Sequence, residues 1–501
     1  MHLFFTVLFA VFFAFPSEAV DLTCPSSPVT GDGKFPSGGL AKFPAGYSCS
    51  VDFQIPKGRV VKFVTQADAN ADGDQLSIRD AVSTVYGMGA PQSLMYAAAD
   101  KANLLISTKT NNASFFVTWQ YIDVTGYTKI QKPTGTILPL NFTKESFYEF
   151  TSSKNRVAFH TATLDRIFDM SLSRVYVYDG EDLSSNFLGT LLHFVNTKNM
   201  SASTGKSLTL VNFYGIPTLS HAIANDYSAV SHYDRYSFFV LSSSSAEFLG
   251  GVVVPNMLES AITMYCIDCQ ELYITDLILS DQRNGVQTVH FKPLSPTHVD
   301  NNLLVYKLGD PLSQSFPQQI LTNTFTMIMY QCDLHYSIAT GPLYTWSLGY
   351  SGRNGYIISP SAWNPTTALT APFSTNISTT DTVKFVFNLQ SVVVDKPGDK
   401  IRIEVGSSGV KPVFVEFNTT AMNTGTKAAY GTYMTTSFTG TTVGASFIMN
   451  FNVEDIASTT VIVETTTKSS NTCLDDRSSE SKKNEEKKTK NIHSWLRDDG
   501  K

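Results

Sequence analysis

Val383-Lys384-Phe385-Val386-Phe387-Asn388-Leu389-Gln390 places Val383, Phe385, Phe387 and Leu389 at alternate positions, with Lys384, Val386, Asn388 and Gln390 between them. A period of two puts successive side chains on opposite faces of a strand, one set toward a core and the other toward solvent. The same alternation returns in Phe115-Phe-Val117-Thr-Trp119, in Val413-Phe-Val415-Glu-Phe417 and in Phe447-Ile-Met449-Asn-Phe451-Asn-Val453. Asp72-Gly73, Asp179-Gly180, Asn284-Gly285 and Asn354-Gly355 are turn signals between such runs. The chain therefore reads as all-β. Only Met95 to Leu105 is proposed as a helix.

Composition supports this. Hydrophobic residues make up 42% of the 501 and charged residues 16%, which is too apolar for a disordered chain. The 34 Phe and 22 Tyr favour strands. A formal charge of −6 argues against a nucleic acid partner, which needs clustered Lys and Arg.

The strand reading extends to a repeat. Asp74-Gln-Leu76-Ser-Ile78-Arg-Asp80 resembles Ser173-Arg-Val175-Tyr-Val177-Tyr-Asp179-Gly180 and Asp399-Lys-Ile401-Arg-Ile403-Glu-Val405-Gly406, with a weaker copy at Asn302-Leu-Leu304-Val-Tyr306-Lys-Leu308-Gly309. The spacing is 99 residues from Asp74 to Ser173 and 97 from Asn302 to Asp399. That is the size of one β-sandwich and too long for a solenoid unit. Four modules are expected, at 20–130, 131–250, 251–365 and 366–466, followed by a tail at 467–501 in which 16 of 35 residues are charged. The tail lacks strand periodicity and is expected to be disordered.

Residues 1–19 read as a signal peptide. Leu3 to Phe15 is apolar apart from Thr6, and Ser17-Glu18-Ala19 places small residues for cleavage after Ala19. No later stretch reaches the roughly 18 apolar residues of a membrane helix. The expected location is secreted and extracellular. Five N-x-[ST] sequons follow, at Asn112, Asn141, Asn199, Asn376 and Asn418, and secretion makes them glycosylation sites.

Of the six cysteines, proximity favours a bond between Cys24 and Cys49, worth about 3 kcal/mol by loop-closure entropy. Cys266-Ile-Asp-Cys269 spells C-x-x-C, the spacing of redox and zinc sites, and Cys332 lies near His335. Outside the cell a disulfide of Cys332 with Cys266 or Cys269 is preferred. The remaining cysteine is then left for Cys473 or another chain.

The residues of the repeat resemble the CUB and CUB-like extracellular domains. Val175-Tyr-Val177-Tyr-Asp179-Gly180, continuing to Leu188-Gly189-Thr190, is similar to the CUB strand and turn pattern. Cys24-Pro25, Pro44-Ala45-Gly46-Tyr47, Cys49, Ile55-Pro56-Lys57-Gly58, Asp80 and Phe115 to Trp119 resemble the CUB-like family of nematode secreted proteins. The resemblance implies tandem, jelly-roll-like sandwich modules and a role in innate immune defence or host–microbe contact. By the same analogy the ligand is an extracellular protein or carbohydrate.

Three groups remain as candidate sites. Asp68-Ala-Asn70-Ala-Asp72-Gly73-Asp74 resembles half of a calcium loop, with Asp68, Asp72 and Asp74 as its carboxylates. Arg79 stands where the bidentate Glu belongs, so a solvated acidic hairpin is the preferred reading and no cofactor is expected. Trp119 is expected in the core, while Trp363, in Ser361-Ala-Trp363-Asn-Pro365, is the better candidate for an exposed contact. The motifs of common hydrolases, kinases and zinc proteases are missing, so a non-enzymatic binding protein is expected. A matrix or cuticle protein and a secreted hydrolase are the alternatives.

Overall fold

The computed structural model describes residues 20–68, 73–164, 167–195, 201–244, 247–252, 258–280, 287–298 and 301–456. The signal-peptide and tail expectations lie outside them. Strands dominate throughout.

The first sandwich pairs two sheets. One has the order Ser48–Gln54, Lys101–Ser107, Gln75–Arg79, Val85–Gly87; the other has Gly33–Phe35, Ser114–Asp123, Arg59–Asp68, Gln92–Ala98, with Ala41–Lys42 also on Ser114–Asp123. Val51, Phe53, Phe63, Ile78, Leu104, Phe115 and Val117 fill the space between them. The expected helix at Met95 to Leu105 is instead Gln92–Ala98 running into Lys101–Ser107, which cross from one sheet to the other. The small residues there have a packing cause. Ala97 faces the first core, and Ala98 faces the second sandwich. A strand buried on both faces loses the alternation that marks a strand.

The second sandwich has a sheet ordered Thr128–Pro133, Ser146–Thr151, Ser207–Asn212, Val175–Asp179, Asn186–Thr190, and a sheet ordered Ile137–Pro139, Ser220–Asp226, Val157–Thr163. The third repeats the plan. Arg235–Leu241, Glu259–Cys266, Thr324–Tyr330, Thr288–Pro293 and Leu304–Lys307 form one sheet, and Glu247–Val252, Asp333–Thr340, Leu272–Ser280 and Gln318–Ile320 the other. In both, the first two strands of the larger sheet are parallel and the rest antiparallel.

This alignment corrects the sequence repeat. Gln75–Arg79, Val175–Asp179 and Ile401–Gly406 each sit one strand in from a sheet edge, as the repeat requires. In the third sandwich that place belongs to Thr288–Pro293, and the proposed copy Leu304–Lys307 is the edge strand beside it. Thr-Val-His-Phe-Lys-Pro carries no trailing Asp-Gly, so the register was not visible. Sheet membership changes between Asp226 and Arg235 and between Thr340 and Asn354, whereas the sequence reading put breaks at 250 and 365.

The fourth unit is one seven-stranded sheet, ordered Asn354–Ile358, Ser446–Glu454, Phe373–Val393, Thr426–Phe438, Ile401–Gly406, Val413–Phe417, with Ala421–Met422 on the long strand. The register of Phe373–Val393 shifts between Ser378 and Val383, a bulge of the kind that bends a strand. Phe385, Phe387, Ile401, Ile403, Phe447 and Phe451 share one core.

Packing between sandwiches uses the outward residues of Val175–Asp179. Val175 and Val177 point into their own core, while Tyr176 and Tyr178 pack with Val60, Tyr96 and Ala98 of the first sandwich. The Tyr176 hydroxyl donates to the Tyr96 carbonyl.

Cys24 and Cys49 are bonded, closing 25 residues. Cys49→Ala is expected to destabilise the first sandwich by about 3 kcal/mol. Denaturation of the full chain with and without reductant checks this, and the reductant effect should vanish in the variant if Cys24–Cys49 is its source.

Candidate ligand-binding cleft

The residues singled out from sequence are dispersed. Asp68 is exposed at the end of its strand, and Asp72 lies outside the described residues. Asp74 is buried, and its carboxylate accepts from Lys109 N at 2.6 Å, Thr110 N at 2.9 Å and Thr110 Oγ1 at 2.5 Å. The Thr110 hydroxyl, with the two amides, holds its pKa below the ordinary value. Asp74 thus staples the 109–110 turn, which uses the oxygens a calcium ion would need. Asn112, Asn141, Asn376 and Asn418 are exposed, and Asn199 lies outside the described residues.

The expected pairing of Cys332 is corrected. Cys266 and Cys269 are bonded to each other, so neither offers a thiolate to zinc. Glu259–Cys266 is eight residues long and pairs antiparallel with Thr324–Tyr330, Tyr265 opposite Thr324 and Glu259 opposite Tyr330. Cys266 and Cys332 therefore lie beyond opposite ends of that ladder, which alone spans roughly 20 Å at ~3.3 Å per residue. Cys332 is a buried free thiol, and burial pushes its pKa up to about 11.

Trp363 also departs from expectation: it is 0% exposed. Ser359 caps the short helix Pro360–Trp363, with Pro360 in its first turn, and the helix drives the indole into the third core beside Phe325. The Ser-Pro pair is the N-terminal helix signal that would have identified this segment. Trp119 is in the first core as expected, its indole N–H donating to Gly31 O at 2.9 Å.

A cleft of about 590 Å³ opens between the second and third sandwiches. Its walls are Val157–Thr163 and Arg235–Leu241, each the edge strand of its own sheet. An edge strand presents unpaired backbone groups and is a ready template for another strand. Val157 and Phe159 are already bonded by Ser203 and Ser201, so the open stretches are 160–163 and 235–239. The two walls run parallel, bridged at Leu164 and Val240, with the His160 ring 4.7 Å from that of Tyr236. Below the cleft Ala158, Ile223 and Val230 pack on Phe238, Val240 and Ile328. Asn225 Nδ2 donates to the Tyr236 hydroxyl at 3.1 Å, which donates to Thr263 Oγ1 at 2.7 Å, while Thr297 Oγ1 donates to Asn225 Oδ1 at 2.9 Å. This network crosses the junction and fixes the cleft walls.

The rim is apolar and is assembled by one carboxylate. Asp169 caps the 3-10 helix Met170–Arg174 by accepting from Ser171 N at 2.9 Å. Its other oxygen accepts from Leu219 N at 3.0 Å and Ser220 Oγ at 2.8 Å. Burial opposes its charge, but the bonds from Ser171, Ser220 and Leu219 outweigh burial and lower its pKa. Ile167 and Phe168 line the cleft, and Met170 and Leu219 adjoin the same carboxylate; the four are 59%, 64%, 63% and 68% exposed. Clustered exposed apolar side chains mark interaction surfaces.

Several of the cleft's polar groups are committed to structure. Asp234 accepts from Leu258 N at 2.6 Å and Glu259 N at 3.1 Å. Burial pushes the His160 pKa down to about 4, so the ring is neutral near pH 7. Ser220 donates to Asp169, and Ser201 to the Phe194 carbonyl. Arg235 is an exposed cation between the two strand edges and the apolar rim, with Thr161, Ser237 and the unpartnered Nδ1 of His160 beside it in the lining. Sequence reading missed Ile167, Phe168, Met170, Leu219 and Arg235. The only trace was Ile167-Phe168-Asp169-Met170, an apolar run without alternation around an Asp.

Residues 19–125 match the family model described as a CUB-like domain. No curated protein matches the chain. Among solved structures the chain is similar to the CUB1-EGF-CUB2 domains of rat MASP-1 at 9% identity, covering 39% of this chain and 98% of that one with a TM-score of 0.17. The full extracellular region of zebrafish Gpr126/Adgrg6 matches at 9% identity over 86% of this chain and 57% of that one, TM-score 0.18. A ruminal GH26 endo-beta-1,4-mannanase matches at 18% identity over 18% of each chain, TM-score 0.12.

Proposed function

We propose that the chain is an extracellular, non-enzymatic binding protein of the CUB-like type, acting in innate defence or host–microbe contact, and that its cleft receives an extended segment of a protein ligand. The carrying observation is the cleft itself: two parallel edge strands, an apolar rim stapled by Asp169, and the exposed Arg235. An extended segment adds main-chain hydrogen bonds along such edges, and alternate side chains reach the rim. Arg235 favours an acidic residue in that segment. Extracellular location is supported by the 1–19 segment, by the Cys24–Cys49 bond and by the CUB-like match at 19–125. No described helix is long and apolar enough to cross a membrane. The defence role rests on the family resemblance.

Secretion is tested by expression in animal cells: material from the medium should begin at Val20 and lose mass on removal of N-linked glycans. The cleft is tested by placing a photo-crosslinking residue at Phe168, with the exposed Val410 as control site. Microbial surface proteins are the probe. The expected result is a discrete adduct from position 168 that falls at least tenfold in Arg235→Glu. Equal labelling from both positions, or adducts indifferent to Arg235, would remove the cleft from this reading.

A further inference from the structure

The outer face of the fourth sheet carries an unusual row of amides. Tyr356, Asn450, Asn388 and Thr426 lie opposite one another on four successive strands, and Asn354, Asn452, Val386 and Ala428 form the neighbouring row. Asn is depleted from strands because it adds little packing on a pleated face and an amide needs partners. The inner neighbours of these residues, Phe387, Leu389, Met449, Phe451 and Val453, supply the core. The amides are therefore not required to close it.

Asn388 and Asn450 are the centre of this face. They sit directly opposite each other, neither side chain makes a hydrogen bond within the described residues, and the Oδ1 atoms of both are shielded from water without a donor. Asn354, by contrast, accepts from Ser315 Oγ at 2.5 Å, and Asn452 donates to Glu454 Oε1 at 3.3 Å. A groove of about 260 Å³ lies over the unpartnered pair, with Tyr356 on one side and Thr426 on the other. At its end Lys384 and Glu454 pair at 2.8 Å, so the nearest charges neutralise each other.

We infer that this groove binds a neutral, hydroxyl-rich ligand, a sugar residue of a glycan. The Oδ1 atoms are turned away from the groove, and the unpartnered Nδ2 groups of Asn388 and Asn450 are the donors open to it; a sugar hydroxyl oxygen accepts two hydrogen bonds, so one hydroxyl bridges the pair. Strands stand about 4.8 Å apart, which spaces Asn388 and Asn450 within their row at the scale of a single sugar ring. Tyr356 offers an aromatic edge beside the polar floor. An anionic ligand would need a free cation, and the groove's lining residues include no Lys or Arg. This site lies in the fourth unit and is independent of the cleft.

The test uses the full secreted chain after enzymatic removal of its own N-glycans. It is applied to a printed array of neutral and acidic oligosaccharides, and the best neutral sugar is then titrated calorimetrically. Neutral sugars are expected to bind. Asn388→Leu with Asn450→Leu should lower affinity at least tenfold while leaving the unfolding midpoint unchanged or higher, since it replaces unpartnered amides by apolar groups. Thr426→Arg, at an exposed position, should block the groove even if the double variant folds poorly. Phe168→Glu in the cleft should leave sugar binding intact. The site is overturned if no neutral sugar binds, if only acidic sugars bind, or if the double variant and Thr426→Arg both bind as the parent does.

Discussion

Replacing Trp363 with alanine is expected to lower stability by about 4 kcal/mol, among the larger single-residue losses in the chain. The indole is fully buried in the third core against Phe325, and truncation of a buried Trp removes its transfer energy and leaves a cavity. The segment that delivers it is fixed to the fourth sheet. Ser359 N donates to Phe447 O at 3.1 Å, and Phe447 N donates to Ser359 Oγ at 3.0 Å. Trp363→Ala thus weakens the third core at a point tied to the fourth sheet. Trp363→Phe should cost far less, because Nε1 is buried without a partner and its removal relieves an unmet donor. Calorimetry checks both, since a chain of several units does not unfold as one two-state body. The transition of the third and fourth units should fall by roughly 10 °C in the alanine variant and by a small fraction of that in the phenylalanine variant. Equal losses would mean that the indole N–H is satisfied after all.

The all-β class was legible because most strands bury one face. Val383 to Gln390 has its odd-numbered members in the core and its even-numbered members outside, as the alternation required. Legibility failed where both faces are buried. Ala97 and Ala98 face two different cores and read as a helix; Val175 to Tyr178 were recognised only because a turn signature followed them. The repeat was found from three strands with trailing turns and misplaced at the fourth, where Thr288–Pro293 kept the position and lost the signature. The helix error follows from packing between sandwiches, which a single strand's pattern does not encode, and the repeat error from a turn signature the strand lost.

The sites were less legible than the fold for a different reason. The cleft exists because two sheet edges lie side by side, and nothing in Val157–Thr163 or Arg235–Leu241 announces an edge. Its rim joins residues 50 apart through Asp169. The amide face was half visible: Asn388, Asn450 and Asn452 fall on the outward set of their strands, but the register that sets Asn388 against Asn450 is a tertiary fact. Cys332 is likewise decided by ladder geometry. Its burial leaves it poorly suited to cross-linking between chains, which weakens the matrix alternative insofar as that alternative uses this cysteine.

Asp169→Ala is expected to dissolve the rim while leaving the sandwiches folded. The carboxylate accepts from two backbone amides and two hydroxyls, those of Ser171, Leu219 and Ser220. Its removal leaves buried donors without partners, each worth about 1–3 kcal/mol. A local loss of about 3 kcal/mol corresponds to a roughly hundredfold rise in amide exchange at Ser171 and Leu219. The amides of Thr209 and Leu210, inside the neighbouring sheet, should keep their protection. Acid gives the same result by another route. The folded pKa of Asp169 lies below its ordinary value, so its contribution is present in full above the unfolded carboxylate pKa of ~3.9 and is lost as pH falls through the lower folded value. The Asp169 contribution to protection at Ser171 and Leu219 should therefore hold from pH 7 to pH 5 and fall below pH ~4. His160 adds a loss beginning higher: its folded pKa of about 4 lies below the free imidazole value of ~6.5, so its contribution fades as pH falls from ~6.5 toward 4. His160→Phe should abolish the earlier loss and leave the later one at Asp169. Protection that is insensitive to both substitutions would show that the rim is held by something other than this carboxylate.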